Sequence, residues 1–524
     1  MKILLVMPTP FETGRLGLEN VVWLSEPVAL TTVAAAVPDH EVKILDLRLE
    51  SEDALVKLLG SWQPDIVGTT SMTTDAYQAK AVLRSAKQVV PSSLTIIGGH
   101  HPTLCPDEFD CDYVDVIVQG EGELTFKDIV GRYEAGMDFA GVHGVRWLDA
   151  NGERHIERKR HQTVALDDLP TPDRSLIKQY QGRYFFTAVS PMASIFTSRG
   201  CSFDCNFCAI WEFYERRVRY LSAKGIADQM EACEEPFVFV LDDNFLVNKK
   251  RIVALCDELE TRNIKKLWMT QGRCDFVADN PEIMKRLAAN GLVGLLSGYE
   301  SNDEDSLKAL RKKSAWDKNI RANEIMADLG IFSTGIFMVR PDWTEEQFDG
   351  LYAYINSLTV GIPLITILTP LPGTQLYRSK KDQLLTHDHR LFDLLHPVLP
   401  TRLSREDFYK QFARSVDAVK PSIRRALANF GKKHPKMVMK LIPNIMRFYA
   451  RTFRYQAMHR DYRTFLRDEE GLLVGPGVDL KWDDIDYPNA EEPQPLMPSR
   501  VDPKKLVPPP LWAQDDNLDE SAAK

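Results

Sequence analysis

The chain has 524 residues and a formal net charge of -9, with 44% hydrophobic and 27% charged residues. A chain of this length exceeds the size of one hydrophobic core, so at least two domains are expected. The apolar fraction excludes a wholly disordered protein, and the acidic balance argues against the overall basic excess of nucleic-acid-binding domains. Eight cysteines are too few for a disulfide scaffold.

The amino terminus runs directly into a predicted strand. It lacks the apolar core and cleavage site of a secretory signal. The sequence contains no run of about 18 uninterrupted apolar residues, so no membrane span is predicted. We therefore expect a cytoplasmic protein. In that compartment, clustered cysteines indicate metal or redox chemistry.

Residues 1–135 alternate short apolar runs with helical patterns, which is typical of an α/β domain with a doubly wound parallel sheet. The predicted strands and the two clearest helices are Lys2–Met7, Glu41–Asp46, Asp65–Thr69, Leu94–Gly98 and Val114–Val118, then Glu26–Val37 and Thr74–Val90. Ligands of such sheets lie beyond the carboxyl ends of the strands. Those ends carry Thr70, Ser71, Gly98, Gly99, Gly120 and Glu121. Glycines are also common in plain turns, so this pattern alone leaves ligand binding and ordinary turns equally open.

The remaining chain divides into four segments. Residues 136–190 form a predicted connector with a hairpin around Asn151. Residues 191–403 are predicted to form a partial (β/α)6 barrel, whose active site would lie at the carboxyl ends of the strands. Its strands are expected at Ala193–Ser198, Phe237–Asp242, Lys266–Gln271, Val293–Gly298, Ser333–Val339 and Leu364–Thr369. Residues 404–470 form a helical, basic region, and residues 471–524 a Pro-rich, acidic tail that is predicted to be disordered.

Cys201, Cys205 and Cys208 form a Cys-x3-Cys-x2-Cys motif directly after the first predicted barrel strand. Three thiolates on one loop can hold three irons of a 4Fe-4S cluster and leave the fourth iron open to a substrate. A structural zinc site needs a fourth Cys or His ligand, which the loop does not contain. Zinc and three uncoordinated thiols remain alternatives to the favoured open cluster.

With Phe207 just before the last cysteine, this motif resembles the radical S-adenosylmethionine (SAM) superfamily. The resemblance implies that the open iron binds SAM, whose reductive cleavage yields a 5′-deoxyadenosyl radical. Other strand ends resemble the SAM-contacting segments of the same superfamily, at Asp242, Asp243, Gln271, Arg273 and Glu300. Helix capping by the two aspartates and a surface position for Glu300 remain alternatives.

The N-terminal sheet then resembles the cobalamin-binding domain that precedes many such barrels. The resemblance assigns Thr70, Ser71, Gly98, Gly99, Gly120 and Glu121 to cobalamin. The loop at residues 8–14 lacks the Asp-x-His-x-x-Gly pattern that supplies a lower axial histidine, so that face is expected to be unligated. His100 or His101 is the alternative ligand, although a structural or exposed histidine is favoured at both positions.

A radical generator beside cobalamin implies methylation of an unactivated carbon, with reducing equivalents from a flavodoxin- or ferredoxin-type donor. Residues 1–420 more narrowly resemble hopanoid C-3 methylases, which methylate ring A of a pentacyclic lipid. The resemblance lies in Ser198–Cys201, Asp242–Leu246, Thr369–Thr374 and Leu399–Leu403. Anaerobic porphyrin ring cyclases and secondary-metabolite methylases share most of these segments. A non-catalytic cobalamin or redox sensor is the alternative from another class.

Residues 420–467 contain thirteen Lys or Arg residues and one acid, Asp461. Apolar and aromatic residues are interspersed among these charges, which is typical of helices that bind a membrane surface. We expect peripheral contact with the inner membrane face, and no nucleic-acid partner. A solvated basic face packed on the acidic remainder of the chain is an equally open interpretation.

Overall fold

A computed structural model describes residues 1–9, 22–161, 164–301, 304–312 and 316–480. Its N-terminal sheet contains β1 (Lys2–Met7), β3 (Glu41–Asp46), β4 (Ile66–Thr70), β5 (Leu94–Gly98), β6 (Val116–Val118), β7 (Val145–Leu148) and β8 (Arg154–Ile156). The strand order is β3-β1-β4-β5-β6-β7-β8, and the first five strands are parallel. The order reverses between β1 and β4, so the carboxyl ends of these two strands border the crevice where such sheets bind ligands.

Both faces of this sheet are buried, as the continuous apolar strands predict. Ile3 and Leu5 of β1 pack under the helices Val28–Ala35 and Gly122–Glu134, while Leu4 and Val6 pack on the opposite face. The N-terminal domain is therefore the expected doubly wound α/β layer. The hairpin assigned to the connector, β7 and β8, extends this sheet by antiparallel pairing with β6.

Six parallel strands form the second sheet, in the order β10-β13-β14-β15-β16-β17. They are β10 (Met192–Ile195), β13 (Phe237–Val240), β14 (Leu267–Gln271), β15 (Leu292–Glu300), β16 (Phe332–Val339) and β17 (Ile362–Ile367). Among the described residues β10 and β17 do not pair with each other, so this partial barrel is open between its edge strands. Two short antiparallel pairs, β2 (Trp23–Leu24) with β9 (Phe185–Phe186) and β11 (Ser198–Arg199) with β12 (Arg219–Tyr220), complete the strands.

The helices cover both sheets and continue past the barrel. Those of the N-terminal domain are Val28–Ala35, Glu52–Trp62, Ala76–Val89, His100–Leu104 and Gly122–Glu134. Those of the barrel are Ile210–Phe213, Ala223–Ala232, Lys249–Thr261, Cys274–Asp279, Pro281–Ala289, Glu304–Ala309, Trp316–Leu329, Glu345–Ser357 and Gln375–Lys380. The C-terminal helices are Arg405–Ala418, Lys420–Lys433, Pro435–Arg460 and Arg463–Asp468. Short 3-10 helices lie at Pro106–Phe109, Leu166–Asp168, Arg174–Tyr180, Lys381–Gln383 and His389–Leu391.

Two predicted barrel strands differ from the structure for identifiable reasons. The predicted strand Ala193–Ser198 ends at Ile195, because the backbone N–H groups of Thr197 and Ser198 donate to a carboxylate instead of a neighbouring strand. The last strand starts earlier than predicted, at Ile362. Its Pro363 is tolerated because β17 is an edge strand, where a missing N–H leaves no buried partner unsatisfied.

The predicted tail also begins later than residue 471. The N–H groups of Gly475 and Gly477 donate to the carbonyls of Leu385 and Leu384 at 2.7 and 2.8 Å, which fixes this segment on the barrel domain. Residues 481–524 lie outside the described residues. Within the described part of the chain, no helix is both long enough and apolar enough to cross a bilayer.

Candidate functional site

The cysteine loop is held by a buried carboxylate at the end of β13. Asp242 accepts hydrogen bonds from the backbone N–H and the hydroxyl of Ser198, at 2.9 and 2.6 Å, and from the same two groups of Thr197. Arg251 lies 3.5 Å from the same carboxylate. Because these donors already occupy both carboxylate oxygens, the arrangement favours loop positioning by Asp242 over the predicted direct contact with a cofactor.

The turn into the motif requires a glycine. Gly200 has a φ of +92°, and a Cβ at this position would lie 2.0 Å from the carbonyl oxygen of Arg217. Further along the loop, the indole N–H of Trp211 donates to the carbonyl of Cys205 at 3.0 Å. The loop that presents the cysteines therefore has a fixed backbone.

The three thiols lie in an environment suited to metal ligation. Burial raises the pKa of Cys201, Cys205 and Cys208, that of Cys208 to about 12. Arg273 and Lys312 oppose this effect at Cys201 and Cys205 by favouring the thiolate form. Soft sulfur donors on one loop, with two cations beside them, fit an anionic iron–sulfur cluster.

Arg273 supports the same loop from the end of β14. Its guanidinium lies 3.7 Å from the ring centroid of Phe203, which stands between the first two cysteines. The guanidinium also donates to the Asp275 carboxylate and, at 2.9 Å, to the carbonyl of Lys312. The sequence assigned Arg273 to cofactor binding. The structure places its side chain against Phe203, where it supports the cysteine loop.

Glu300 ends β15 in a strained, buried position. Its φ is +58°, and the pairing of β15 with β16 shifts register between Gly298 and Glu300. One carboxylate oxygen lies 2.6 Å from Nζ of Lys312, while the other has no hydrogen-bond partner among the described residues. A Cβ on Gly298 would approach both charged groups, at 2.2 and 2.5 Å. Strain with an unsatisfied buried oxygen is typical of a binding site and fits the predicted contact with SAM.

Three further strand-end residues surround this centre. Asn244 is buried, and neither its amide oxygen nor its amide nitrogen has a hydrogen-bond partner among the described residues. Burial and the adjacent Asp242 raise the pKa of Asp243 to about 7, although a hydrogen bond from the backbone N–H of Gly200 opposes this shift. Gln271 is half-buried at the end of β14. These polar groups supply donors and acceptors for a zwitterionic nucleoside ligand.

Phe207 lies on the apolar side of the loop, where it packs against a small cluster formed by Leu310, Met338, Leu368 and Leu376. The sequence placed it at a cofactor. Its contacts in the structure are with this cluster, which orients the last cysteine.

The N-terminal strand ends are built for close backbone approach. Gly99 has a φ of +104°, and a Cβ there would lie 2.4 Å from Oγ1 of Thr70 and 2.9 Å from the N–H of Ser71. Ser71 itself is fully buried and donates its hydroxyl to the carbonyl of Met72. Gly120 has a φ of +88° with open space around its Cα.

Gly98, at the end of β5, accepts from the N–H of Ser71 at 3.0 Å, which ties β5 to the end of β4. Thr70, Gly98, Gly99 and Gly120 thus leave an edge free of large side chains. This edge fits a flat macrocycle.

Two other residues that were considered for cobalamin, Glu121 and His101, bind groups of the chain itself. The carboxylate of Glu121 forms ion pairs with Arg199 and Arg219, so it joins the N-terminal domain to the cysteine loop and is engaged away from a cofactor contact. The fully buried His101 bonds Oγ1 of Thr73 at 3.3 Å and the Glu108 carboxylate at 3.1 Å, which supports a structural role.

His100, the other histidine considered for cobalamin, stacks on Phe213 with 5.4 Å between ring centroids. Burial lowers its pKa to about 4, so the ring is neutral at physiological pH. The loop at residues 8–14, which lacks the axial-histidine pattern, lies outside the described residues from residue 10 onward.

Sequence reasoning missed Lys312, Arg199 and Phe203 as functional residues. Arg199 could have been noticed, since it immediately precedes the motif. The sequence pattern pairs neither Lys312 with Glu300, twelve residues earlier, nor Arg273 with Phe203, seventy residues earlier.

Comparison with known families matches both halves of the site. The B12 binding domain family matches residues 14–130, and the radical SAM superfamily matches residues 195–355. The chain therefore combines a B12 binding domain with a radical SAM domain, as the cobalamin-dependent radical SAM methyltransferases do. Its cofactors are accordingly a 4Fe-4S cluster, SAM and cobalamin.

Characterised relatives differ in substrate. The hopanoid C-3 methylase of Methylococcus capsulatus is 29% identical over 422 residues, which cover 79% of each chain. The anaerobic magnesium-protoporphyrin IX monomethyl ester cyclase of Cereibacter sphaeroides is 29% identical over 68% of this chain and 60% of its own.

Solved structures share the fold. The cobalamin-dependent radical enzyme OxsB, with aqua-cobalamin and SAM bound, superposes with a TM-score of 0.64 at 17% identity, over 88% of this chain and 71% of its own. The methyltransferase TsrM from Kitasatospora setae superposes with a TM-score of 0.58 at 18% identity, over 73% of this chain and 75% of its own.

Proposed function

We propose that this enzyme methylates an unactivated carbon of a polycyclic lipid, with C-3 of hopanoid ring A as the substrate position. The observation that carries the substrate class is an apolar cavity of about 510 Å³ inside the barrel. The hopanoid methylase relative, which is 29% identical over 79% of this chain, supports the same substrate class. The cavity does not identify the ring position, so C-3 rests on the relative.

The cavity occupies the half of the barrel interior at the amino ends of the strands. Met192, Phe237, Trp268, Phe332 and Ile362 line it, each at or near the start of its strand. The helix Pro435–Arg460 closes it, with the side chains of Met437, Leu441, Ile445 and Phe448 facing the cavity. An apolar ligand fits this lining, because a charged ligand would leave polar groups without partners.

The barrel interior remains apolar between the cavity and the cysteine loop, at Phe239, Leu241 and Leu296. The four residues of β13 separate these two ends by about 13 Å. A fused-ring lipid is long enough to span this distance, which requires the packed side chains of Phe239 and Leu296 to move aside.

A porphyrin substrate, as in the cyclase relative, suits this cavity less well. A porphyrin carries carboxylates that need cationic or hydrogen-bonding partners when buried. Among the described residues that line the cavity, there is no Lys or Arg.

The chain's own residues supply positioning and exclusion of water. When bound, the cluster and SAM provide a carbon-centred radical oxidant and cobalamin provides the methyl group. We propose that Glu300 and Asn244 orient SAM through their free polar atoms, and that Cys201, Cys205 and Cys208 hold the cluster. The buried network around Asp242 keeps the loop in register with the strand ends.

The reaction requires electrons, and we propose a small flavodoxin or ferredoxin in the cytoplasm as their source. The described cysteines are all free, which supports a reducing compartment.

The proposal is tested by anaerobic turnover of the reconstituted enzyme with SAM, cobalamin, reductant and a hopanoid that carries deuterium at C-3. We expect 5′-deoxyadenosine that contains deuterium, together with a C-3-methylated lipid, both detected by mass spectrometry. Cys201→Ala should abolish both products. A Mg-porphyrin ester, offered in a parallel reaction, should give no new product.

Two results would contradict this assignment at different levels. Deuterium-free 5′-deoxyadenosine with an unchanged lipid would refute the hopanoid substrate while leaving the radical chemistry intact. Absence of 5′-deoxyadenosine from a fully loaded protein would refute the enzymatic function itself.

A further inference from the structure

The helix Pro435–Arg460 exposes a continuous apolar stripe to solvent. Met439, Ile442, Met446, Tyr449 and Phe453 are each more than half exposed, with Phe453 at 73%. At 3.6 residues per turn, these five positions fall within a sector about 80° wide. Single exposed apolar residues are ordinary on protein surfaces, whereas five in one row indicate an interaction site.

Beside the stripe the same helix carries a row of positive charges. Lys436, Lys440 and Arg447 are exposed and fall in the adjacent sector, about 60° to 100° round from Met439. Lys432 and Lys433 continue the positive charge at the end of the preceding helix. Within the described part of the chain, none of these five residues forms an ion pair with a carboxylate, so their charge is available to a partner.

The third side of the helix is bound to the barrel. Asn444 donates to the carbonyl of Ser190 at 2.7 Å, and Arg451 donates to the carbonyl of Thr187 at the same distance. The helix is thereby fixed to the segment that leads into β10. The apolar stripe therefore faces outward from a helix that is fixed on the barrel.

The cavity inside the barrel reaches this outer surface. Leu427 and Tyr449 both line the cavity, yet they are 43% and 52% exposed. The mouth of the cavity therefore lies at the edge of the apolar stripe.

We propose that the helix Pro435–Arg460 docks on an anionic lipid bilayer, with the stripe inserted among the acyl chains and the lysines and arginine at the headgroup phosphates. Basic and apolar residues in adjacent sectors match the two layers of a membrane interface, where each cationic residue adds electrostatic attraction to anionic lipid. A corollary, which rests on the proposed function, is that a lipid substrate passes from the bilayer into the cavity beside Tyr449.

Docking is tested by sedimentation of the full-length holoenzyme with sucrose-loaded vesicles. Vesicles of phosphatidylglycerol with phosphatidylcholine should retain the protein, vesicles of phosphatidylcholine alone should retain much less, and high salt should weaken the binding. Met446→Asp with Phe453→Asp should reduce the partition coefficient at least about tenfold. The triple variant Lys436→Glu, Lys440→Glu, Arg447→Glu should reduce it about a hundredfold or more.

Matched controls change similar residues elsewhere on the surface. Ile156→Asp removes a 65% exposed apolar side chain from the N-terminal sheet, and Lys57→Glu, Lys127→Glu, Lys285→Glu reverses three exposed charges. Both controls should bind vesicles like the unmodified protein. All variants should retain cobalamin and an unchanged circular dichroism spectrum, since only exposed residues are altered.

Two outcomes would overturn the proposal. The first is an unmodified protein that stays in the supernatant with anionic vesicles at low salt, or a partition coefficient that is the same in the unmodified protein and in all variants. The second is a concentration-dependent dimer that Met446→Asp abolishes, without vesicle binding, which would assign the stripe to a second copy of the chain. Turnover of detergent-solubilised hopanoid separates this test from the proposed function, because it does not require docking.

Discussion

At the scale of single residues, the site depends on buried charges that are held by the chain itself. Glu300 and Lys312 form an ion pair at the end of β15, and Asp242 holds the start of the cysteine loop. Buried charges persist only when they are paired and hydrogen-bonded. The carboxylate oxygen of Glu300 that has no partner among the described residues is the atom that we propose to bind a cationic or hydrogen-bonding group of SAM.

Gly298→Ala tests this site directly. The new methyl group would lie within 2.5 Å of Glu300 and Lys312, so the ion pair must shift. We expect SAM affinity, measured by equilibrium dialysis, to fall at least about tenfold, which is the effect of losing about 1.4 kcal/mol. Gly131→Ala, on an open helical surface, should leave SAM affinity unchanged. Normal affinity in Gly298→Ala would show that Glu300 does not contact SAM.

Asp242→Asn tests the anchor of the loop. The amide cannot accept all the hydrogen bonds of the carboxylate, and Arg251 loses its counter-charge. We expect the free energy of unfolding, from denaturant titration, to fall by about 3–5 kcal/mol. Iron content after reconstitution should fall with it. Asp112→Asn, at an exposed aspartate of the N-terminal domain, is the matched control, and an equal loss of stability in both variants would contradict the positioning role.

At the scale of elements, the hydrophobic pattern and the cysteine motif predicted most of the architecture. The apolar runs located all five parallel strands of the first sheet and all six of the barrel within a few residues, because fully buried strands have continuous apolar sequences. The motif located the cysteine loop. The sequence could not locate contacts between distant segments, such as Glu121 with Arg199. The resemblance to cobalamin-binding domains assigned Glu121 to cobalamin, and only the structure shows its ion pairs with Arg199 and Arg219.

The helix Pro435–Arg460 also carries a titratable group that links stability to pH. Burial lowers the pKa of His459 to about 3, although Asp393 opposes this shift and His396 adds to it. A histidine with a lowered pKa stabilises the fold at high pH, and that contribution is lost as the pH falls below about 6.5, the unfolded value.

His459→Leu should therefore flatten the dependence of unfolding free energy on pH. Between pH 6.5 and 5 we expect the unmodified protein to lose stability more steeply than the variant, by up to about 1.4 kcal/mol per pH unit. Urea titrations at several pH values measure this difference. The exposed His387→Leu should follow the unmodified curve, and identical slopes in all three proteins would show that His459 is not buried in its neutral form.

At the scale of the whole molecule, two cofactor domains must act on one substrate. Arg199 stands directly before the cysteine loop and pairs with Glu121 and Glu123 of the N-terminal domain, and Arg219 pairs with Glu121 as well. These pairs are largely buried, and the two glutamates follow the end of β6, beside the glycines assigned to cobalamin. The cysteine loop and the strand ends assigned to cobalamin are thereby joined by one network of ion pairs.

Arg199→Ala should separate radical formation from methyl transfer. The cysteine ligands and the groups proposed for SAM are untouched, so 5′-deoxyadenosine should still form, whereas relaxed alignment of the two domains should slow transfer of the methyl group. We expect the ratio of methylated lipid to 5′-deoxyadenosine to fall at least about tenfold, because small misplacements of reacting groups have effects of this size or larger. Both products are quantified in one anaerobic reaction by mass spectrometry. Arg217→Ala, which removes an exposed arginine two residues before Arg219, should keep the original ratio. Parallel loss of both products in Arg199→Ala would instead assign the network to cluster assembly, and an unchanged ratio would show that the ion pairs do not set the register between the domains.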